Sequence, residues 1–256
     1  MVGVYLLRPT SCSAYIWLIL TLDSIFENSL MPRISKDGLK LINKDTLWDK
    51  AYLSLRSALL AGKFVPGERI ILRKVALDLG ISLTPVRDAI NRLAAENVLD
   101  RGGVGQGGGA SVPLLTSNEF DQLMTIRSSL EPLAAEAATK NATKAEIKEI
   151  AGFLSDMRDL AGTGNLVSYL DAHYKFHFAI YKLADQPILI QAIEGAWLRC
   201  GPTLNLALPE YKPGQKRHKH HLAALNALKK GDGIAVARAI RADIDSARQD
   251  ICNLLD

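Results

Sequence analysis

From Leu47 onward the apolar residues recur at three- and four-residue intervals, the spacing of helices that each bury one face. Leu47, Ala51, Leu55, Ala58 and Leu59 make the first stripe; Thr46-x-x-Asp49 opens it as a capping box with Asp in place of Glu, and Gly62 closes it. Pro66-Gly67 marks a turn. A short helix is predicted from about Leu72 to Leu79, with Val75, Ala76 and Leu79 inward, and Gly80 breaks it. A third helix is capped by Ser82, tolerates Pro85 in its first turn, buries Val86, Ala89, Ile90 and Leu93, and ends near Asn97. Beyond Pro113 no convincing strand interrupts the helical period. Helices are predicted over about 118–140, 144–160, 166–184, 188–206, 215–230 and 234–255, with turns at Gly162-Thr163-Gly164, 209–214 and Gly231-Asp232-Gly233.

These elements predict a mainly α protein: an N-terminal winged helix-turn-helix followed by an all-helical bundle of about six helices. The wing is the stretch after Val98-Leu99, a glycine-rich run leading to Ala110-Ser111-Val112. Three parts are expected: residues 1–30, an upstream extension outside the fold; 31–112, the helix-turn-helix; and 113–256, the bundle. In the first part, Ala14 to Leu22 is apolar but well short of the roughly 20 residues of a membrane span. No small-residue cleavage site follows it, and Met31 opens a segment of ordinary composition, so Met31 is read as the start.

Composition sharpens this picture in two places. At 48% hydrophobic and 23% charged, the 256-residue chain is globular, and only 6% aromatic content favours helix over a β-sandwich. Its three cysteines are too scattered for a disulfide framework or a cysteine-based zinc site, which points to a reducing cytoplasm. The net charge of +4 is unevenly placed. Residues 31–112 hold 13 Lys and Arg against 8 Asp and Glu, whereas 113–256 hold 17 of each, so the part expected to meet a polyanion is the helix-turn-helix.

The third helix places Thr84, Arg87, Asp88, Asn91 and Arg92 on its free face, residue types suited to phosphate and base-edge contacts. The glycine run is no nucleotide cradle. It follows a helix rather than a strand, and no Gly-Lys-Ser/Thr completes a P-loop. The strings Gly62-Lys63-Phe64-Val65-Pro66-Gly67-Glu68-Arg69-Ile70, Val75-Ala76-x-x-Leu79-Gly80-Ile81-Ser82 and Thr84-Pro85-Val86-Arg87-Asp88-Ala89-Ile90-x-Arg92-Leu93 resemble the GntR family of bacterial transcription regulators over roughly 45–112. The resemblance implies a homodimer that sets paired recognition helices in the major groove of double-stranded operator DNA. It marks Arg73, Thr84, Arg87 and the wing residue Gly107 as DNA-contacting. Leu83 stands where the family usually has Arg, and the wing is longer and richer in glycine than usual.

In the bundle the informative positions are polar residues inside apolar stripes. His173 and His177 are one turn apart on the same inward face; His221 lies in line with Leu225 and Leu228, and Asp243 with Ile240, Ile244, Ala247 and Ile251. Three histidines and a carboxylate facing a bundle interior are the composition of a divalent metal site; hydrogen-bonded core histidines are the alternative. His218 and His220, among Lys216, Arg217 and Lys219, are read as facing solvent. Arg127 also interrupts a stripe, and a buried guanidinium needs an anion, supplied either by a structural salt bridge to a neighbouring helix or by a ligand.

Arg127-x-x-Leu130-Glu131-Pro132-x-Ala134-Ala135, Phe176-His177 and His221-x-x-x-Leu225-x-Ala227-Leu228-x-x-Gly231-Asp232 resemble the FadR C-terminal effector domain in its shorter, VanR-like form. That resemblance implies one divalent transition metal ion (zinc, nickel or manganese) held by His173, His177, His221 and Asp243. His173 replaces the usual Asp and Asp243 the usual last His, which exchanges the ligand types and keeps the charge balance. It further implies that Arg127 grips, by bidentate pairing, the carboxylate of a small organic-acid effector. Gln186 replaces a common Asn of this pocket. The expected function is a cytoplasmic, effector-responsive repressor with no membrane partner and no enzymatic activity. Two other readings are a regulator whose bundle is a metal-free dimerisation module, and a metal-dependent enzyme.

Overall fold

The computed structural model describes residues 47–101, 109–207 and 215–255, which belong to one compact unit spanning 45–256. The capping residue Thr46, the first thirty residues, Gly107 and the turn at 209–214 lie outside the described residues. Nine helices and a small sheet are described.

The first helix, α1 (Leu47–Leu60), buries Ala51, Tyr52, Leu55, Leu59 and Leu60. After the two-residue strand β1 (Arg69–Ile70) come α2 (Leu72–Leu79) and α3 (Leu83–Ala95). The turn between them depends on Gly80, whose φ of 65° is left-handed, and its N–H returns to the carbonyls of Ala76 and Leu77. Ser82 occupies the N-cap of α3 without a side-chain cap bond, and Asn97, at φ 55°, takes the expected left-handed conformation after its end. Leu72, Val75 and Ala76 of α2 are buried with Val86, Ala89, Ile90 and Leu93 of α3, while Leu79 is half-buried.

The sheet has three strands, one more than the two-stranded wing expected. Strand β3 (Ala110–Ser111) lies between β1 and β2 (Asp100–Arg101), antiparallel to both. Glycine is required at 109, because a Cβ there would sit 2.7 Å from the carbonyl oxygen of Ile70. Strand β1, which precedes α2, is thereby held closely against the residue that leads into β3.

The bundle comprises the six expected helices: α4 (Ser117–Ala138), α5 (Lys144–Leu160), α6 (Leu166–Lys182), α7 (Pro187–Ala207), α8 (Gln215–Lys230) and α9 (Gly233–Leu255). Capping boxes open two of them, Thr116 with Glu119 on α4 and Thr143 with Glu146 on α5. Asn165 accepts from the Ser168 N–H to start α6. Helix α4 packs most extensively against α9 and also meets α6 and α7; α5 meets α6 and α8. Phe120, Met124, Phe176, Ile180, Tyr181, Ile193 and Trp197 fill the space between them. Helix α1 also packs on α6 and α7, so the helix-turn-helix rests directly on the bundle, with Arg56 ion-paired to Glu194 of α7.

Candidate functional site

The candidate DNA face is built on two helix starts. Arg73 is the second residue of α2; Thr84 and Arg87 occupy the first turns of α3, and all three are exposed. Backbone N–H groups at such starts favour anions, and the arginines add charge and reach. Asp88 and Asn91 share this exposed face. Arg92 does not stand free on it. Its guanidinium lies over the rings of Tyr52, at 4.0 Å, and Trp48, at 5.1 Å, while Nε donates to Glu96 at 2.9 Å. Tyr52 donates to the same carboxylate at 2.7 Å, so Arg92 clamps α3 onto α1. The α3 stripe alone could not disclose this, because the aromatic partners lie on another helix.

Inside the bundle, α6, α8 and α9 bring His173, His177, His221 and Asp243 together, with one ligand-capable atom of each within 4.8 Å of the others. His177 Nε2 is 3.1 Å from His173 Nε2, 3.1 Å from His221 Nε2 and 3.5 Å from Asp243 Oδ2. Asp243 Oδ1 is 3.3 Å from His221 Nδ1. A tetrahedral ion with bonds of ~2.0–2.1 Å separates its ligands by about 3.3 Å, which the distances from His177 Nε2 bracket, while the set of one ligand atom from each residue spans up to 4.8 Å. Imidazole and carboxylate together suit zinc, nickel or manganese. His177 and His221 are buried and Asp243 nearly so, and the buried Nδ1 of His173 has no hydrogen-bond partner. These residues fit a divalent metal ion. Burial, then the facing imidazoles of His177 and His221, push His173 well below the usual histidine value, so it is neutral and able to ligate at pH 7. Burial opposes ionisation of Asp243, but His221 and His177 outweigh it and hold the carboxyl far below its ordinary range.

Arg127 closes one side of this cluster. It is 3% exposed, and its counter-ion is Glu131 on the same helix rather than an acid on a neighbouring one. Nε donates to Glu131 Oε1 at 2.6 Å and Nη2 to Oε2 at 3.5 Å, while the guanidinium lies 4.1 Å over the Trp197 ring. Burial works against this charge, and Glu131 more than restores it. Among the described residues Nη1 faces the soft acceptors Met124 Sδ and Cys200 Sγ, each at 3.5 Å. Arg127, Tyr169, His173, Leu204, Asp243 and Ile244 line a cavity of about 20 Å³, room for one water molecule. His218 and His220 are half-buried rather than solvent-facing, and the His218 ring lies 6.3 Å from Tyr169.

Residues 47–112 match the model of the bacterial regulatory proteins of the gntR family, and residues 122–246 match the FCD domain. The regulator McbR of Escherichia coli K12 is 32% identical over 178 residues, 68% of this chain and 79% of McbR. The chain belongs to the gntR family of bacterial regulatory proteins. The probable D-xylose utilization operon repressor of Paenarthrobacter nicotinovorans is 28% identical over 172 residues, 67% of this chain and 74% of that protein. The structure of E. coli McbR/YncC superposes with a TM-score of 0.76 at 26% identity, covering 83% of this chain and all of that one. A GntR regulator from Rhodococcus sp. RHA1 shares the fold, with a TM-score of 0.66 at 16% identity, covering 80% of this chain and 97% of that one.

This GntR chain is therefore a DNA-binding transcriptional regulator and not an enzyme. Arg73, Thr84, Arg87 and Gly107 fall inside the gntR match; Arg127, His173, His177, His221 and Asp243 fall inside the FCD match. Among the described residues no helix is long and apolar enough to cross a membrane. Glu131, Tyr181 and Trp197 carry roles that the sequence pattern did not single out. Only the four-residue spacing of Arg127 and Glu131 on one helix face signalled any of them.

Proposed function

We propose that this GntR regulator is a cytoplasmic homodimeric repressor whose hold on operator DNA is set by a divalent metal ion and a small organic-acid effector in the bundle. The observation that carries the reading is the convergence of His173, His177, His221 and Asp243 within 4.8 Å, with Arg127 on the wall of the cavity that His173 and Asp243 also line. The four residues would hold the ion. When bound, it would supply a Lewis-acid position for a carboxylate oxygen.

Arg127 would take part differently from the bidentate grip expected of it. Its Nε and Nη2 already face Glu131, so Nη1 is the donor with capacity for an effector oxygen. A cavity of about 20 Å³ admits a water but no metabolite, so effector binding requires the wall around Leu204 and Ile244 to move. Helix α7 is suited to carry that movement. The Trp197 ring lies 5.4 Å from those of both His173 and His177, and Glu194, one turn earlier, pairs with Arg56 of α1. Helix α1 packs in turn on the recognition helix α3. A shift of α7 would therefore alter how the helix-turn-helix is presented, a coupling that need be only a few kcal/mol.

The test is thermal melting of the full chain with a panel of small mono- and dicarboxylic acids, before and after chelation. An acid at 100 times its dissociation constant stabilises by ~2.7 kcal/mol, a rise of several degrees. The reading predicts a rise with one acid that disappears on chelation. No rise with any acid, and no change on chelation, would return the bundle to a metal-free dimerisation module.

A further inference from the structure

We propose that Tyr181 and Glu131 are positioning residues of the metal centre, holding His177 in the one tautomer whose Nε2 is bare toward the ion. The inference rests on the metal reading above and extends it to residues that would touch neither metal nor effector. Its basis is an accounting of protons along a fully buried line of side chains. Glu131, Tyr181 and His177 are each 0% exposed.

Glu131 meets donors in every direction. Oε1 accepts from Arg127 Nε at 2.6 Å and from Trp197 Nε1 at 2.8 Å. Oε2 faces the Tyr181 hydroxyl at 2.6 Å and Arg127 Nη2 at 3.5 Å. Arginine and indole N–H groups can only donate, and with the Arg127 cation beside it Glu131 is a carboxylate that can only accept. The single Tyr181 proton therefore points to Glu131. The phenolic oxygen keeps its lone pairs, and its other partner is His177 Nδ1 at 2.9 Å. That nitrogen must be the donor, so His177 carries a proton on Nδ1. Nε2 is the nitrogen turned to the cluster, 3.1 Å from both His173 Nε2 and His221 Nε2 and 3.5 Å from Asp243 Oδ2, where its lone pair would meet the ion.

A ligating histidine commonly donates its second N–H to an oriented acceptor that fixes ring and tautomer, and loss of that acceptor typically costs 10–100-fold in metal affinity. Here the acceptor is a phenol made purely accepting by a buried carboxylate. Residues 173, 177 and 181 lie one turn apart on α6, so the two ligands and the orienting group share one helix face. Glu131 comes from α4 and Trp197 from α7, which ties the ligand's orientation to three helices.

The experiment measures zinc affinity of the full chain and of Tyr181→Phe by competition with a chromophoric chelator, alongside nitrogen NMR of histidine-labelled parent protein. The inference expects a 10–100-fold weaker zinc affinity in Tyr181→Phe with unchanged helical circular dichroism. In the parent, with and without zinc, the His177 proton should sit on Nδ1. Parent-like zinc affinity in a folded Tyr181→Phe overturns it while leaving the metal reading intact. A proton on Nε2 of His177, or zinc on Nδ1, overturns it even if the variant does not fold. Failure of the parent itself to take zinc overturns both readings together.

Discussion

Asp243 and the three histidines show at single-residue scale why burial and neighbours must be weighed together. For His173 burial and the imidazoles of His177 and His221 all disfavour its charged form, and together they outweigh the opposing Asp243 carboxylate. In metal-stripped protein the unfolded chain takes up a proton near the ordinary value of 6.5, which the folded state refuses. The stability contributed by neutral His173 is therefore complete above that value and is lost progressively below it. Chelated protein should melt at falling temperature between about pH 7 and pH 5, and His173→Gln should flatten that dependence. Equal slopes in the two proteins would mean that His173 is not held neutral. Asp243 adds nothing in this window, because its depressed carboxyl matters only near and below its ordinary 3.8. The sequence disclosed these four residues because each interrupts an apolar stripe on its helix. It could not disclose that Tyr181 and Trp197 meet at Glu131, since the two partners lie 50 and 66 residues away. Periodicity reports which way a side chain points, not what it meets there.

At the scale of elements, nearly all of the helical architecture was legible, because each segment carries both a period and an end signal. The six bundle helices begin and end within a few residues of their expected limits, and Asn97 and Gly80 take the left-handed conformations that stop helices. The capping boxes of Thr116 with Glu119 and Thr143 with Glu146, which the apolar periodicity did not single out, fix two of the starts. The third strand was not legible. Two residues, Arg69 and Ile70, are too few to show an alternation, and their pairing with Ser111 and Ala110 spans some forty positions of chain. On the recognition helix the two exposed arginines differ, since Arg92 also packs on Tyr52 and Trp48 and pairs with Glu96. Arg87→Ala should thus weaken binding to operator DNA and reduce the slope of log affinity against log salt by about one. An unchanged slope would remove Arg87 from the phosphate contacts.

The whole molecule joins a DNA-binding head to a bundle through α1, which packs on α3 on one side and on α6 and α7 on the other. The buried line from Arg127 through Glu131 and Tyr181 to His177 runs between α4 and α6, and Trp197 attaches it to α7. The candidate metal centre, the candidate effector wall and the support of the head are thus built on shared helices. Such an arrangement lets a local change be felt at the recognition helix if the packing has two stable settings. All of this turns on whether the cluster holds an ion. The most direct measurement is native mass spectrometry of the full chain and of His177→Ala, with elemental analysis of the same samples. One divalent transition metal ion per parent chain is expected, with its loss from His177→Ala, which should still bind DNA. A parent chain that carries no metal after incubation with zinc, nickel or manganese, or a variant that keeps it at one per chain, would show that His173, His177, His221 and Asp243 hold no ion.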